Sequence, residues 1–266
     1  MGAEERAEGE PEGQATERDA QRFSGLRYDD FRRMARDETL SPAERVGFPD
    51  GYRSGREGAI LRDIVAKLPA LEQRGLTVAD IGCGASDLPR ALREHCRRQG
   101  HTLLLVDAPE MLEHHEDGPD VVKVPGRFPG ETGEALAPWR ERVDVAIAYS
   151  VVQVVYGEGN PIDFVDAAAE LLAPGGRLLI GDLPNASMRR RFLASAAGAA
   201  HHRAYTGRDE DPPVTFNAPT RGEVDDAFVL GLAARARAAG FHAWVCPQDD
   251  DLPMANRRED LLIARP

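Results

Sequence analysis

Residues Val78-Ala79-Asp80-Ile81-Gly82-Cys83-Gly84-Ala85-Ser86-Asp87 constrain the fold of this chain more than any other stretch. Apolar residues run into an acid and two glycines, and from Leu88 the pattern turns helical. A buried strand, a glycine turn and a helix start let the backbone approach a ligand closely, with the free N–H groups of the helix end facing it. One strand–helix unit later, His101-Thr102-Leu103-Leu104-Leu105-Val106 forms a second apolar strand that ends in Asp107. An acid at that strand tip can accept both hydroxyls of a ribose. The two strands therefore read as a site for an adenosine-bearing cofactor.

Glycine spacing separates two cofactor classes. A dinucleotide fingerprint has a third glycine where this chain has Asp87, because the pyrophosphate sits on the helix terminus and an acid there repels it. S-adenosylmethionine carries no phosphate, and its sulfonium and amino group tolerate nearby acids. Asp80-Ile81-Gly82-Cys83-Gly84 followed by Val106-Asp107-Ala108-Pro109-Glu110-Met111-Leu112 resembles the class I S-adenosylmethionine-dependent methyltransferases. Leu172-Ala173-Pro174-Gly175-Gly176-Arg177-Leu178-Leu179-Ile180 resembles that family's helix stop, turn and fifth strand. The resemblance implies an α/β, Rossmann-like fold: a seven-stranded, mostly parallel sheet with helices on both faces and a C-terminal antiparallel hairpin. Further strands are expected over residues 121–124, 143–150, 241–246 and 260–264.

Composition narrows the partners. A formal net charge of −12 argues against a nucleic-acid substrate, since phosphate backbones need a basic face. The three cysteines, Cys83, Cys96 and Cys246, are an odd number without a CxxC pair, which fits a reducing, cytoplasmic setting. No secretory signal or long apolar run marks a membrane segment. A small-molecule substrate is the expected partner, and a homodimer is an admissible assembly.

Residues 1–22 are polar and rich in Glu, Gly and Ala, so a disordered leader is expected. Residues 23–53 read as a helical cap. Tyr28, Phe31, Met34 and Ala35 recur at helical spacing, and Ser41-Pro42-Ala43-Glu44 is a capping box. Residues 47–53 look too broken for a regular element. The methyltransferase-like domain spans 54–266, opening on a helix that Ser54-Gly55-Arg56-Glu57 should cap. His95 is expected on a helix surface, Gly100 and Gly240 stop helices, and Thr220-Arg221-Gly222-Glu223 should cap the last one. An insertion over about 182–220 reads as a substrate lid.

In the resembled family the N-terminal segment folds over cofactor and substrate. That implies contacts from Tyr52 and Arg53, against the competing reading of a surface turn. The strand ends imply cofactor contacts from Asp80, Gly82, Gly84, Asp107, Ala108, Tyr149 and Ser150. Where relatives place an acid for adenine, this chain has Arg127 and Phe128, so Phe128 should grip the ring by stacking, or the backbone should hold it. Gln153, Tyr156, Asn185, Arg190 and Tyr205 are expected on the acceptor side. Asp182 and the lid histidines His201 and His202 are the catalytic candidates, because imidazole suits proton removal near neutral pH. If the lid backbone is extended, the two histidines face opposite ways. Arg189, Arg190 and Arg191 could clamp an anionic acceptor, the alternative being an exposed helix face. Asp182 and Asn185 do not reproduce the magnesium-binding acids of catechol-type methyltransferases, so no metal is expected. The function implied is S-adenosylmethionine-dependent O- or N-methylation of a polar small molecule, sugar-like or a natural-product intermediate. The rivals are a cofactor-binding protein that transfers nothing, a fold relative that uses the sulfonium cofactor for non-methyl chemistry, and an NAD-linked oxidoreductase.

Overall fold

The computed structural model describes residues 22–23, 25–218 and 221–266. Apart from Arg22, the expected leader lies outside the described residues, and so does Thr220. Seven strands among them form one sheet: β1 (Thr77–Ile81), β2 (Thr102–Asp107), β3 (Val121–Pro125), β4 (Val143–Tyr149), β5 (Leu172–Pro184), β6 (His242–Pro247) and β7 (Arg258–Ala264), in the order β3-β2-β1-β4-β5-β7-β6. Strands β1 to β5 pair in parallel, and β7 runs antiparallel to both β5 and β6. This is the Rossmann-like α/β sheet with the closing hairpin that the sequence implied.

Alternation along the strands sorts side chains to two cores. On β2, Leu104 and Val106 join one cluster while Leu103 and Leu105 join the other. The first cluster is closed by the helices Pro161–Glu170 and Asp226–Ala238, through Phe164, Val165, Val229 and Leu232. The second is closed by Glu57–Lys67 and Asp87–Gln99, through Ile60, Ile64, Leu88 and Leu92. Strands covered on both faces need near-continuous apolar runs, which is how β1, β2 and β4 read.

Two local signals held as the sequence reads them. Ser41 and Glu44 form the capping box, and Gly100, at φ +69°, ends the helix Asp87–Gln99. Others were overruled. Ser54 does not cap; its hydroxyl donates to Asp50 Oδ1 (3.1 Å), and the helix starts at Glu57 without a side-chain cap. The last helix starts at Asp226, where Asp225 accepts the Phe228 N–H (3.0 Å), while Glu223 pairs with Arg190 instead. Residues 50–53 form one helical turn, Asp50–Arg53. His95 is buried, its Nε2 3.0 Å from Leu71 O, so it ties the helix to the segment before β1. The insertion is two helices, Ala186–Leu193 and Ala196–Thr206. No helix among the described residues is long and apolar enough to cross a membrane.

Candidate active site

Strand order reverses between β1 and β4, and ligands in open α/β sheets bind beyond the strand ends at such a point. The glycine turn leaves β1 here. Gly82 donates its N–H to Val106 O (2.7 Å), and Gly82 and Gly84 have φ of +76° and +67°. A Cβ on Gly84 would come 2.7 Å from Val46 Cγ1, and one on Gly82 would come 2.6 Å from Val151 Cγ2. Both positions therefore need glycine for conformation and for space. The buried His115 donates through Nε2 to Gly84 O (2.7 Å), which fixes the turn from below.

Two carboxylates frame this turn in different ways. Asp107 accepts the Gly84 N–H at Oδ2 and its neighbour Ala108's N–H at Oδ1, both at 2.7 Å. Each oxygen keeps a lone pair for a ligand. Asp80 is 5% exposed and has neither a hydrogen bond nor an ion pair among the described residues. Its carboxyl is pushed up to about 7, mainly by burial and then by the charge of Asp107. Burial also raises Asp107, to about 6, against the pull of its two backbone donors. Asp80 lines a cavity of about 500 Å³, its open mouth included, together with Val46, Phe48, Arg53, Cys83, Tyr149 and Ser150. A buried, unpartnered carboxylate calls for a cation. The ammonium and sulfonium of S-adenosylmethionine meet that requirement, and Asp107 meets the ribose requirement. The residues present fit this cofactor.

A pH dependence follows. Both carboxyls titrate above the 3.8 of a free Asp, so the folded protein holds extra protons between there and about pH 7. These two groups thus subtract stability from the ligand-free protein as pH rises through that window. A cationic ligand has the opposite trend, because it binds the ionised pair. Calorimetry should find its affinity rising with pH up to about 7, falling by up to about tenfold over the unit below that and by up to about a hundredfold for each unit below about 6, where both carboxyls take up protons. An affinity flat from about pH 5.5 to about 8 would contradict this charge assignment.

The opposite wall comes from the tips of β4 and β5. Ser150 and Asp182 both have positive φ, 62° and 61°, and the Ser150 hydroxyl donates to Asp182 Oδ2. The β5–β7 register shifts between Ile180 and Leu183, a bulge that re-aims the Asp182 side chain. Asp182 also accepts Arg258 (2.9 Å), lies 3.8 Å from Arg53, and receives Gln248 Nε2 at 3.5 Å. Arg53 donates to Ser150 Oγ (2.9 Å), with its guanidinium 4.5 Å from the Phe48 ring centroid and 5.3 Å from that of Tyr149. A second, shallower cleft, about 240 Å³ with its open mouth included, shares Phe48, Arg53 and Tyr149 and adds Tyr52, Asp182, Pro253 and Met254.

Of the residues singled out in the sequence, Arg53, Asp80, Tyr149 and Ser150 line the first cavity, and Tyr52 and Asp182 the second. Gln153 has a buried Oε1 without a partner among the described residues. Asn185 is fully engaged: it caps the Met188 N–H and donates to Asp226 and Glu259, so it serves the fold. Tyr156 packs edge-on against Phe228 (4.7 Å), and Phe128 packs edge-on against Phe164 (5.0 Å). His201 and His202 line neither cavity. They sit on a helix, not on extended chain, so they do not alternate faces, and the exposed His201 lies between Phe192 and Tyr205. Arg191 pairs with Asp226. Sequence reasoning missed Phe48, Gln248 and Arg258, which buttress Asp182. It also missed Tyr28, whose hydroxyl is raised by burial and by the charge of Asp107 and whose ring lies under Arg127 (5.1 Å). Tyr28's helical pattern was plain, but nothing local tied it to Asp107.

Comparison with known proteins identifies the family and the fold. A family described as a methyltransferase domain matches residues 52–210. The ubiquinone biosynthesis O-methyltransferase of Cereibacter sphaeroides is 33% identical over 127 residues, 46% of each chain. That of Roseobacter denitrificans is 30% identical over 149 residues, 54% of each. The chain thus spans about half the length of the curated relatives it matches. Among solved structures, the plantazolicin methyltransferase BamL, in complex with a triazolic desmethylPZN analog and SAH, has a similar fold. Its TM-score is 0.56 at 14% identity, covering 94% of this chain and 99% of that one.

Proposed function

The chain belongs to the class I S-adenosylmethionine-dependent methyltransferase family, and from that premise we propose that it O-methylates a polar small molecule. The observation that carries the reading is the unpartnered Asp80 beside a glycine turn whose far side is held by Asp107. Bound S-adenosylmethionine would supply a methyl carbon activated by its sulfonium. In this reading Asp107 takes the ribose hydroxyls, Asp80 neutralises the amino group, and Arg53 turns to the carboxylate. Arg53 is suited to that because its contact with Asp182 is long. Val46 and Val151 pack against the two glycines of the turn. Oxygen is favoured over nitrogen because the curated relatives are named O-methyltransferases. Sugar-like and natural-product acceptors remain the proposed class, and cytoplasm the proposed location.

Alignment of acceptor and methyl carbon is the main catalytic device in this proposal. It contributes about 7–11 kcal/mol, where a general base adds only about 10²–10⁴ in rate. Asp182 is poorly placed as a base because its carboxylate oxygens are already occupied by Arg258 and the Ser150 hydroxyl. His201→Ala and His202→Ala should therefore keep kcat within about twofold and leave its pH profile unchanged; a loss of about 10²-fold in either would make that histidine the base.

The function is tested by incubating the protein with S-adenosylmethionine and a panel of hydroxylated small molecules, followed by mass spectrometry. A methylated acceptor formed in step with S-adenosylhomocysteine supports it. Cofactor binding without turnover across the panel favours the non-transferring rival.

A further inference from the structure

The helix Tyr28–Ala35 is tied down at both ends. Toward its C-terminal end Arg32 and Arg36 reach the buried Glu110 (2.8 and 2.9 Å), and His114 Nε2 donates to Ala35 O (2.7 Å). Glu110 and His114 stand shortly after Asp107 in the chain. At its start the Tyr28 N–H donates to Glu158 Oε2 (3.0 Å), on the helix Val152–Glu158. The helix therefore joins the segment after β2 to the one after β4.

Tyr28 is fixed against the backbone that frames Asp107. Arg127 Nη2 donates to the same Glu158 oxygen (3.2 Å), and its guanidinium lies 5.1 Å from the Tyr28 ring centroid. Gly126, the residue before Arg127, donates its N–H to Asp107 O (2.9 Å). With Phe31, the Tyr28 ring packs on a cluster of Ala35, Ala85, Ala108 and Met111. Ala85 belongs to the glycine turn, and Ala108 follows Asp107. Tyr28 is half-buried, yet its hydroxyl has no hydrogen-bond partner among the described residues. Burial and then the charge of Asp107 raise its pKa, which keeps it a donor. A half-buried phenol without a partner is a donor awaiting an acceptor. A ribose hydroxyl can serve, because it donates and accepts at once.

We propose that Tyr28 is a further cofactor-binding residue: its hydroxyl donates to a ribose hydroxyl that in turn donates to Asp107, and Arg127 with Glu158 clasps the helix end that carries it. The inference rests on the methyl-transfer reading and adds to it a ribose contact from outside the strand tips. Arg127 and Phe128 then divide their work. Phe128 fills the core against Phe164, while Arg127 steadies Tyr28.

The test is a thermodynamic cycle read by calorimetry. S-adenosylhomocysteine and its two monodeoxyribose analogues, each lacking one ribose hydroxyl, are titrated into the parent and into Tyr28→Phe. That variant keeps the ring beside Arg127 and removes only the hydroxyl. It should bind S-adenosylhomocysteine about tenfold more weakly. The penalty for one of the two analogues should also be smaller in the variant than in the parent, by about fivefold or more. A merely structural role lowers affinity for all three ligands by the same factor. Glu158→Ala should weaken S-adenosylhomocysteine by about threefold in the parent and leave it unchanged in Tyr28→Phe; an equal loss in both contradicts the clasp. Parental affinity in Tyr28→Phe, or identical penalties for the analogues in both proteins, overturns the inference and leaves the methyl-transfer reading standing. If the parent binds no S-adenosylhomocysteine, that reading fails and this inference with it.

Discussion

Asp107→Ala should weaken binding of S-adenosylhomocysteine by about 10²-fold. The carboxylate faces the ligand at the tip of β2, pre-oriented by the Gly84 and Ala108 N–H groups. Hydrogen bonds donated to a charged acceptor contribute about 1.5–3 kcal/mol each, so two ribose hydroxyls at the lower end give about 3 kcal/mol. The fold should tolerate the change, because burial already disfavours the charge and its removal leaves the sheet untouched. Asp107→Asn keeps one acceptor oxygen and should lose about tenfold. Titration calorimetry reads both. An affinity unchanged in Asp107→Ala removes the ribose assignment.

Lys67→Met should cost about 3–5 kcal/mol of stability, the magnitude for breaking a buried ion pair from one side. Lys67 Nζ lies 2.5 Å from Asp63 and 2.6 Å from Asp260, and Asp260 is fully buried. Burial opposes the ammonium, but the two acids outweigh it and raise its pKa. The same Asp260 accepts the Asp182 N–H (2.8 Å) and Gln248 Nε2 (3.1 Å). The cation therefore anchors the bulge that aims Asp182 at the site. Removing it strands two carboxylates, and burial already raises the pKa of Asp260. Protonation relieves that stress, so the deficit in urea unfolding should shrink as pH falls. Adding Asp260→Asn should restore part of the loss. A deficit under about 1 kcal/mol at neutral pH would mean that the network matters little to the fold.

How much of this was legible depended on the reach of each signal. The glycine turn, Asp107 and the parallel strands were readable because sheet patterning and positive-φ glycines act over a few residues. The two closing strands were readable as apolar runs, and their antiparallel pairing came from the family resemblance. The wall around Asp182 was not, because it joins residues from positions 48, 53, 150, 248 and 258, and its aim comes from a bulge. Asp182 itself was seen, but as a catalytic acid; the cations that occupy it arrive from two other elements. His201 was chosen for its chemistry and its place in the lid, and the helix it sits on turned that side chain toward Phe192 and Tyr205. Asn185 was chosen for its position past β5, where it proved to be the cap of the next helix.

The central claim is that the turn between β1 and the helix Asp87–Gln99 is built for a cationic, phosphate-free adenosine cofactor. Asp87 stands at that helix start, paired with Arg90, where a dinucleotide would need its pyrophosphate. Parallel calorimetric titrations with S-adenosylhomocysteine and with NAD test this most directly. The account predicts saturable one-to-one binding of S-adenosylhomocysteine and no heat from NAD; saturable NAD binding with none of S-adenosylhomocysteine would contradict it.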